Sequence, residues 1–331
     1  MVVDNTLQIV DISKVDKKTG DELLNAGSSQ GFLFIEGHGF SQQEIDLLFE
    51  TSKQFFDLPL EAKQQCPIGS NNFGYDFGLE NLDPKLQKKG DPKESINFDV
   101  FRFMNGLDPQ NLPDWFKSED KFTIIQSIIN KLSHLSIKLL ELLALGLDME
   151  DLQWFTKRYD PKLQSGSTFR LLHYPGQKSL DPEAVIRAGA HTDYGSMTLL
   201  FQRKNQEGLE IYSPMSKKWE PVKYVETNQS KFPNEAPPII VNIGDQLSYW
   251  TAGLLKSTIH RVKFPKKVQE TGQDRYSIVF FSHPSDSALL EPVPSDKVKG
   301  IQGRGANNET NYLTAKQHLQ KRLAATYGWE Y

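Results

Sequence analysis

The sequence predicts a mostly β protein with flanking helices (α+β), in which a jelly roll or sandwich is supported by one long helix. Two observations carry this prediction. After about residue 167, roughly eight short β-type runs follow one another, with turn residues between them. Before them, residues 119–146 repeat apolar side chains every three or four positions, which is the period of an α-helix. The β-rich half therefore forms the centre of the predicted fold.

The composition is that of an ordinary globular protein, and it argues against two kinds of partner. The chain has 331 residues, of which 38% are hydrophobic and 24% are charged, enough to bury a large core in one domain or two. Its net charge of −4 gives no basic footprint for nucleic acid and no polybasic patch for a membrane. We therefore expect no nucleic-acid or membrane partner. The sequence leaves the oligomeric state open.

The cysteine count and the first residues bear on the cellular compartment. Cys66 is the only cysteine, so no intrachain disulfide can form, which fits a reducing compartment. The chain begins without a basic segment followed by an apolar run, and no stretch approaches the roughly 20 apolar residues of a membrane span. We expect a cytoplasmic protein that also has access to the nucleus.

The N-terminal part alternates strands and helices. Its periodicity predicts a strand, a helix and a second strand, at residues 7–13, 21–29 and 31–40. Ser41 then caps a further helix, because Glu44 three residues later completes a capping box, and Pro59 ends that helix. We expect these early strands to join the same sheets as the later ones.

The middle of the chain separates two regions. Residues 66–118 are rich in Gly, Asn, Asp and Pro and are expected to be irregular, as long functional connections are. We therefore assign residues 1–118 to an N-terminal helix/strand region. Residues 119–331 form the support helix, the β core and a C-terminal helix, and the two regions together are expected to form one compact unit.

The β-rich half supplies the predicted strands. They lie at residues 169–174, 197–202, 209–212, 219–222, 239–243, 247–250, 257–262 and 276–281. Residues 300–308 predict a surface loop, and residues 311–327 a final helix.

A histidine and a carboxylate at spacing two suggest a metal site. His191 and Asp193 point to the same face of a strand or strand end, so one ion could take both as ligands. Taken alone, the pair is weak evidence for a metal, because the same spacing is more often a hydrogen-bonded histidine followed by a turn aspartate. The β-rich surroundings and a later strand histidine, His260, favour the metal interpretation. Two histidines and one carboxylate form the facial triad of non-haem Fe(II) oxygenases, which leaves the opposite face of the ion open.

The other histidines are weaker ligand candidates. His38 lies between glycines, and His134 and His318 lie in predicted helices, where packing or surface roles are expected. His173 and His283 lie on or beside strands and remain alternates.

A possible anion-binding pair follows the third ligand. Arg275 and Ser277 are two residues apart on one predicted strand and therefore share a face. A guanidinium binds a carboxylate bidentately, and a hydroxyl can add another hydrogen bond. The alternative is a salt bridge on an edge strand.

Taken together, the motifs resemble the Fe(II)/2-oxoglutarate-dependent dioxygenases of the isopenicillin N synthase-like family. The resemblance covers nearly the whole chain, and the order of the motifs makes it specific. In the N-terminal part the motifs lie at residues 31–39, 55–59, 74–75 and 93–94. In the C-terminal half they lie at residues 171–175, 191–193, 242–245, 257–262 and 275–277. Residues 170–175, 187–189, 195–202 and 322–327 are similar to a fungal subgroup that includes thymine 7-hydroxylase.

The resemblance implies a fold and a set of cofactors. The family fold is a distorted double-stranded β-helix, a jelly roll backed by helices. The family uses Fe(II), with 2-oxoglutarate and O2 as co-substrates, and ascorbate can serve as reductant. By the resemblance, His191, Asp193 and His260 are the iron ligands.

The resemblance also assigns the co-substrate site. It implies that Arg275 and Ser277 bind the distal carboxylate of 2-oxoglutarate with help from Tyr174. Many plant members have Asn-Tyr-Tyr-Pro where this chain has Leu-His-Tyr-Pro at residues 172–175. This departure puts in question one polar contact near the co-substrate, and leaves the metal ligands unaffected.

The implied activity is hydroxylation of a C–H bond of a small organic molecule, with release of succinate and CO2. Phe281 matches a residue that packs on the substrate in some members, and Phe98 and Phe101 are further candidates for the pocket wall, with core packing as their alternative role. Two other functions stay open at this point. One is an oxidase, desaturase or cyclase that works without 2-oxoglutarate, and the other is a non-catalytic protein that binds 2-oxoglutarate.

Overall fold

The computed structural model describes residues 7–83, 91–107, 111–176, 186–264, 270–302 and 312–329. Within these ranges no helix is both long enough and apolar enough to cross a membrane. The predicted loop at residues 300–308 lies outside the described residues from position 303 onward.

The described residues form twelve strands in two sheets. In chain order they are β1 (Ile9–Asp11), β2 (Phe32–Glu36), β3 (Gly74–Phe77), β4 (Glu94–Asp99), β5 (Thr168–Tyr174), β6 (Ile186–His191), β7 (Met197–Phe201), β8 (Leu209–Tyr212), β9 (Trp219–Pro221), β10 (Ile239–Ile243), β11 (His260–Lys263) and β12 (Arg275–Ser282). The large sheet has the order β1-β2-β10-β7-β12-β5-β4-β3, and the small one β6-β11-β8-β9. Only β1 and β2 pair in parallel among these strands. The mostly β fold with flanking helices, predicted from the sequence, is confirmed.

Helices cover one face of the large sheet and the chain ends. They are α1 (Lys17–Ser29), α2 (Gln42–Phe56), α3 (Leu60–Lys63), α4 (Val100–Met104), α5 (Glu119–Gly146), α6 (Asp245–Trp250), α7 (Asp296–Gln302) and α8 (Ala315–Tyr327), with short 3-10 turns at Asp114–Lys117 and Thr156–Arg158. The predicted long helix is α5, and the structure confirms both of its ends. The capping box between Ser41 and Glu44 is also present, at the start of α2.

Four local predictions are wrong. Residues 300–302, predicted as part of a loop, belong to α7. The segment 66–118 is not irregular throughout, because it contains β3, β4 and α4. Residues 247–250 belong to a helix, since Leu247 and Trp250, three positions apart, are both buried on one side of α6. Such a short apolar run fits a strand or a buried helix equally well from periodicity alone. Residues 257–259 precede a strand that begins only at His260.

Both faces of the large sheet are buried, and successive residues divide between two cores. Leu199 packs towards the helices and Leu200 towards the small sheet, and Ile278 and Val279 divide in the same way. Because side chains alternate along a strand, a sheet covered on both faces has nearly continuous apolar strands. The core between the sheets also holds the pocket-lining residues described below.

The N-terminal strands belong to the same large sheet as the later ones. β2 pairs with β10, and β4 pairs with β5, with Ile96 opposite Leu171. The expectation that the early strands join the later sheets is therefore confirmed. The division of the chain at residue 118 stays a prediction.

The support helix contacts α1 through two glycines. A Cβ on Gly146 would lie 2.3 Å from the carbonyl oxygen of Gly20, far inside van der Waals contact. We expect Gly146→Ala to lower the free energy of unfolding by about 1–3 kcal/mol, the usual cost of overpacking a core. Urea denaturation measures this loss. Gly300→Ala is the matched control, because Gly300 lies in α7 with open space around its missing Cβ. Equal stability of the Gly146→Ala and wild-type proteins would contradict the prediction.

Candidate active site

Three side chains from two neighbouring strands converge between the sheets. His191 ends β6, Asp193 follows two residues later, and His260 begins β11. The two strands are antiparallel, and their register places His260 directly opposite His191. One nitrogen or oxygen atom from each residue lies within 4.8 Å of those of the other two. The structure therefore brings together the three residues that the sequence singled out as metal ligands.

Backbone carbonyls orient both imidazoles. Nδ1 of His191 lies 2.8 Å from the carbonyl oxygen of Gly189, and Nδ1 of His260 lies 3.1 Å from that of Thr258. A ring that donates from Nδ1 keeps its Nε2 lone pair free for a metal. Each Nε2 lies 3.6 Å from Oδ1 of Asp193. The three free ligand atoms thus face one another.

The carboxylate of Asp193 is held by its second oxygen. Its Oδ2 accepts hydrogen bonds from Oγ1 of Thr198 at 2.6 Å and from Nδ2 of Asn242 at 2.7 Å. Burial alone would raise the pKa of Asp193, but the two imidazoles and these hydrogen bonds lower it. Its Oδ1 is therefore charged and available as a ligand.

Burial keeps His191 neutral. It lowers the pKa of this imidazole to about 3, and the neighbouring His260 acts in the same direction. Only a neutral imidazole binds a metal, so His191 is in the metal-binding form at pH 7.

The other histidines do not join this cluster, although His283 lines the same cavity. Among the described residues, His191, Asp193 and His260 are the only group of three or more ligand-type side chains close enough to hold one ion. His173 instead contacts Glu94 and Asp274, and Nδ1 of His38 accepts a hydrogen bond from the backbone of Phe40.

Arg275 and Ser277 lie in the same cavity as the three ligands. Nη1 of Arg275 and Oγ of Ser277 are buried without a hydrogen-bond partner, while Nε of Arg275 donates to the carbonyl oxygen of Gln206 at 2.9 Å. Tyr174, directly opposite Arg275 in the sheet, places its ring 5.0 Å from the guanidinium. Buried polar groups without partners are costly, so this end of the cavity is shaped for an anionic ligand that accepts hydrogen bonds.

Alternation along β12 and β5 builds the cavity wall. Every second residue of β12, from Arg275 to Phe281, points into the cavity, and the even-numbered residues of β5 do the same. Phe281 therefore lines the cavity, and its contact with a substrate stays a prediction. Phe98 and Phe101 do not line this cavity. Phe98 is buried in the aromatic core against Phe116 and Phe169, and Phe101 borders a second cavity beside α5.

The C-terminal helix closes one side of the cavity. Leu319 and Leu323 of α8 line it, and Thr326 hydrogen-bonds to the hydroxyl of Tyr194. Arg322 donates to Thr192 and pairs with Asp245 at 3.2 Å. These contacts tie α8 to the segment that carries Asp193.

Several site residues escaped prediction from the sequence. Thr198 and Asn242 were assigned no role, and neither were the buried charges of Glu80, Lys93 and Arg170, which also line the cavity. The sequence does mark Asn242 as a candidate site residue, since it is a polar residue inside the apolar run of β10. Glu80 had none, because it lies in a polar segment outside any strand.

Two family profiles match this chain. Residues 7–114 match a profile described as "non-haem dioxygenase in morphine synthesis N-terminal". The 2OG-Fe(II) oxygenase superfamily matches residues 165–284. The second profile spans all the residues brought together at the metal cluster.

Individual relatives agree with the profiles. A 2-oxoglutarate-Fe(II) type oxidoreductase of Metarhizium rileyi is 32% identical, over 93% of this chain and 85% of its own length. A 2-oxoglutarate-dependent dioxygenase of Talaromyces stipitatus is 27% identical, over 94% and 90%. The crystal structure of a full-length Neurospora crassa protein in complex with alpha-KG superposes with a TM-score of 0.76 at 27% identity, covering 98% of both chains.

The profiles match an N-terminal and a catalytic region of the chain, and each of these relatives aligns with more than nine-tenths of it. The jelly roll and the His-Asp-His cluster agree with them. The chain therefore belongs to the 2OG-Fe(II) oxygenase superfamily, and it is an enzyme of the isopenicillin N synthase-like type that depends on Fe(II) and 2-oxoglutarate.

Proposed function

We propose that the enzyme hydroxylates a C–H bond of a small organic molecule, and that His191, Asp193 and His260 hold its iron. In this proposal Arg275, Ser277 and Tyr174 bind 2-oxoglutarate. Iron, 2-oxoglutarate and O2 together supply the oxidant, and succinate and CO2 are released. The residues of the chain position the reactants and keep water out.

A single observation carries the residue assignment. The unpaired Nη1 of Arg275 and Oγ of Ser277 open into the cavity that also contains the three metal-ligand atoms. A dicarboxylate can satisfy these donors with one end and reach a metal with the other. A protein that used its metal without such a co-substrate would leave two buried donors unpaired.

The ligand set fits iron better than zinc. Two imidazoles and one carboxylate hold three positions on one face of an octahedral ion and leave room for a chelating co-substrate and O2. A structural zinc would call for a fourth protein ligand. Among the described residues, no fourth His, Cys, Asp or Glu joins the cluster.

Anaerobic titration tests the proposal. Fe(II) followed by 2-oxoglutarate is expected to produce a visible metal-to-ligand charge-transfer band in the wild-type protein. The band is expected to weaken in Arg275→Gln, since the distal carboxylate then lacks its cation. On admission of O2, succinate is expected to form in proportion to the 2-oxoglutarate consumed.

The titration also separates this proposal from its alternatives. Turnover of substrate without 2-oxoglutarate would point to an oxidase, and a band without succinate to a protein that only binds the co-substrate. A full-strength band in His260→Ala would contradict the assignment of the ligands.

A further inference from the structure

A buried cluster of charged side chains forms part of the cavity wall. Nζ of Lys93 lies 2.6 Å from Glu80 and 3.3 Å from Asp91. Nη1 of Arg170 lies 3.1 Å from Glu80. None of these four side chains is more than a tenth exposed. We refer to Glu80, Asp91, Lys93 and Arg170 as the charge cluster.

The charge cluster is electrically balanced. Two carboxylates face two cations, and Glu80 contacts both of the cations. Burial alone would raise the pKa of Glu80, but Arg170 and Lys93 hold it well below its ordinary value, so this carboxylate stays ionised. Asp76 is a further buried carboxyl near Glu80, and it adds no positive charge.

At the co-substrate end of the same cavity, the charge of Arg275 is not balanced. Arg275 forms no ion pair with the described residues, and its Nη1 has no partner. Among the described residues that line the cavity, Arg275 is therefore the one cation without a counter-ion, and 2-oxoglutarate binds it in the proposed function. A second anion that entered beside Arg170 would meet a cation already neutralised by Glu80.

Arg170 still has hydrogen bonds to offer. Its Nε donates to Asn97 at 2.6 Å and its Nη1 to Glu80, while its guanidinium lies 5.3 Å from the ring of Phe281. Within the described part of the chain no hydrogen bond uses Nη2, and Arg170 lines the cavity, so an entering molecule can accept a hydrogen bond from it. Phe281, Leu319 and Leu323 supply apolar walls nearby.

We propose that Glu80 makes this end of the cavity selective for uncharged substrates, whose carbonyl or other neutral acceptor binds Arg170. The proposal rests on the proposed function, because it takes Arg275 to be occupied by 2-oxoglutarate. The physical reason is the cost of burying an ion: a carboxylate or phosphate here would lose its hydration without gaining a free counter-ion. An uncharged group loses far less and keeps the hydrogen bond.

The test compares neutral and anionic ligands of equal shape. The probes are benzamide with benzoate, nicotinamide with nicotinate, and cyclohexanecarboxamide with cyclohexanecarboxylate. Each is titrated by calorimetry into the full chain loaded with Mn(II) and saturating 2-oxoglutarate, so that Arg275 is occupied and no turnover occurs. We expect the wild-type protein to prefer the amides by about tenfold or more. A wild-type protein that binds a carboxylate as tightly as its amide overturns the proposal.

Two variants make the charge cluster positive. Glu80→Gln removes the shared carboxylate and nearly keeps the shape of the side chain, and Glu80→Ala removes the carboxylate together with most of the side chain. We expect each of them to bind carboxylates that the wild-type protein rejects. Either variant alone decides the point if the other fails to fold, as circular dichroism will show. If a folded positive variant still rejects every carboxylate, Glu80 does not set the selectivity and the proposal is wrong.

Two control variants separate charge from shape. Glu80→Gln combined with Arg170→Gln restores neutrality, because it also removes the guanidinium that has lost its counter-ion, and is expected to reject carboxylates again. Glu226→Gln removes an exposed glutamate paired with Lys204 on the surface and is expected to behave as wild type. Loss of 2-oxoglutarate binding in the loading step would instead refute the proposed function, so the two failures are distinguishable.

Discussion

Alanine at His191, Asp193 or His260 is expected to abolish the release of succinate that depends on Fe(II) and 2-oxoglutarate. Each residue contributes one of three atoms that lie within 4.8 Å of one another, so losing one leaves only two protein ligands. Activity and Fe(II) affinity should fall by more than about 100-fold, beyond the 10–100-fold typical of groups that merely support a ligand. Succinate assays and equilibrium metal binding measure the two effects.

Two variants outside the three ligands show how much activity and Fe(II) affinity are lost when the ligands themselves remain. Asn242→Ala removes one hydrogen bond to Asp193 and leaves all three ligands, so we expect a loss of about 10–100-fold. His134→Ala, on an exposed turn of α5, is expected to leave both measurements unchanged. Full activity in any of the three ligand variants would contradict the metal assignment.

Arg275→Met is expected to raise the KM for 2-oxoglutarate by at least about 30-fold, with a smaller effect on kcat. The guanidinium is buried, and its free Nη1 has no other partner, so the distal carboxylate of the co-substrate would be left unpaired in the variant. Truncating one partner of a buried charged pair costs about 2–5 kcal/mol. Steady-state kinetics with varied 2-oxoglutarate measures the change.

Two further variants, at Ser277 and at Arg203, give KM values with which the Arg275→Met result is compared. Ser277→Ala removes a single hydrogen bond to a charged group and is expected to raise the KM by roughly tenfold. Arg203→Met removes an arginine that packs on Phe49 and is expected to leave the KM unchanged. A KM in Arg275→Met close to that of Arg203→Met would show that another group binds the carboxylate.

Much of the site follows from local spacing. His191 and Asp193, and likewise Arg275 and Ser277, are two residues apart, and alternation along a strand is enough to put each pair on one face. The same rule places Phe281 in the cavity, because it continues the face of Arg275 along β12. The 28 residues of α5 were likewise determined by a period that repeats within a few positions.

Local spacing does not predict the position of a residue whose contacts lie far away in the chain. Residues 66–118 contain β4, whose polar residues are buried, and Asn97 is satisfied only by Arg170 and Asn72. Hydropathy cannot distinguish such a strand from a loop, because the compensating groups lie elsewhere in the sequence. Phe98 was predicted for the pocket wall for the same reason, since its identity as a core residue depends on Phe116 and Phe169.

By itself, the sequence determined the fold class, the long helix and the pairs of site residues that share a strand. Only the tertiary structure decided that His260 lies opposite His191, that Asn242 and Thr198 hold Asp193, and that Glu80 contacts both Lys93 and Arg170. The physical reason is that hydrophobic periodicity depends on residues close together in the chain, so the sequence alone shows it. The register between distant strands and the balance of buried charges depend on residues far apart in the chain, which meet only in the folded protein.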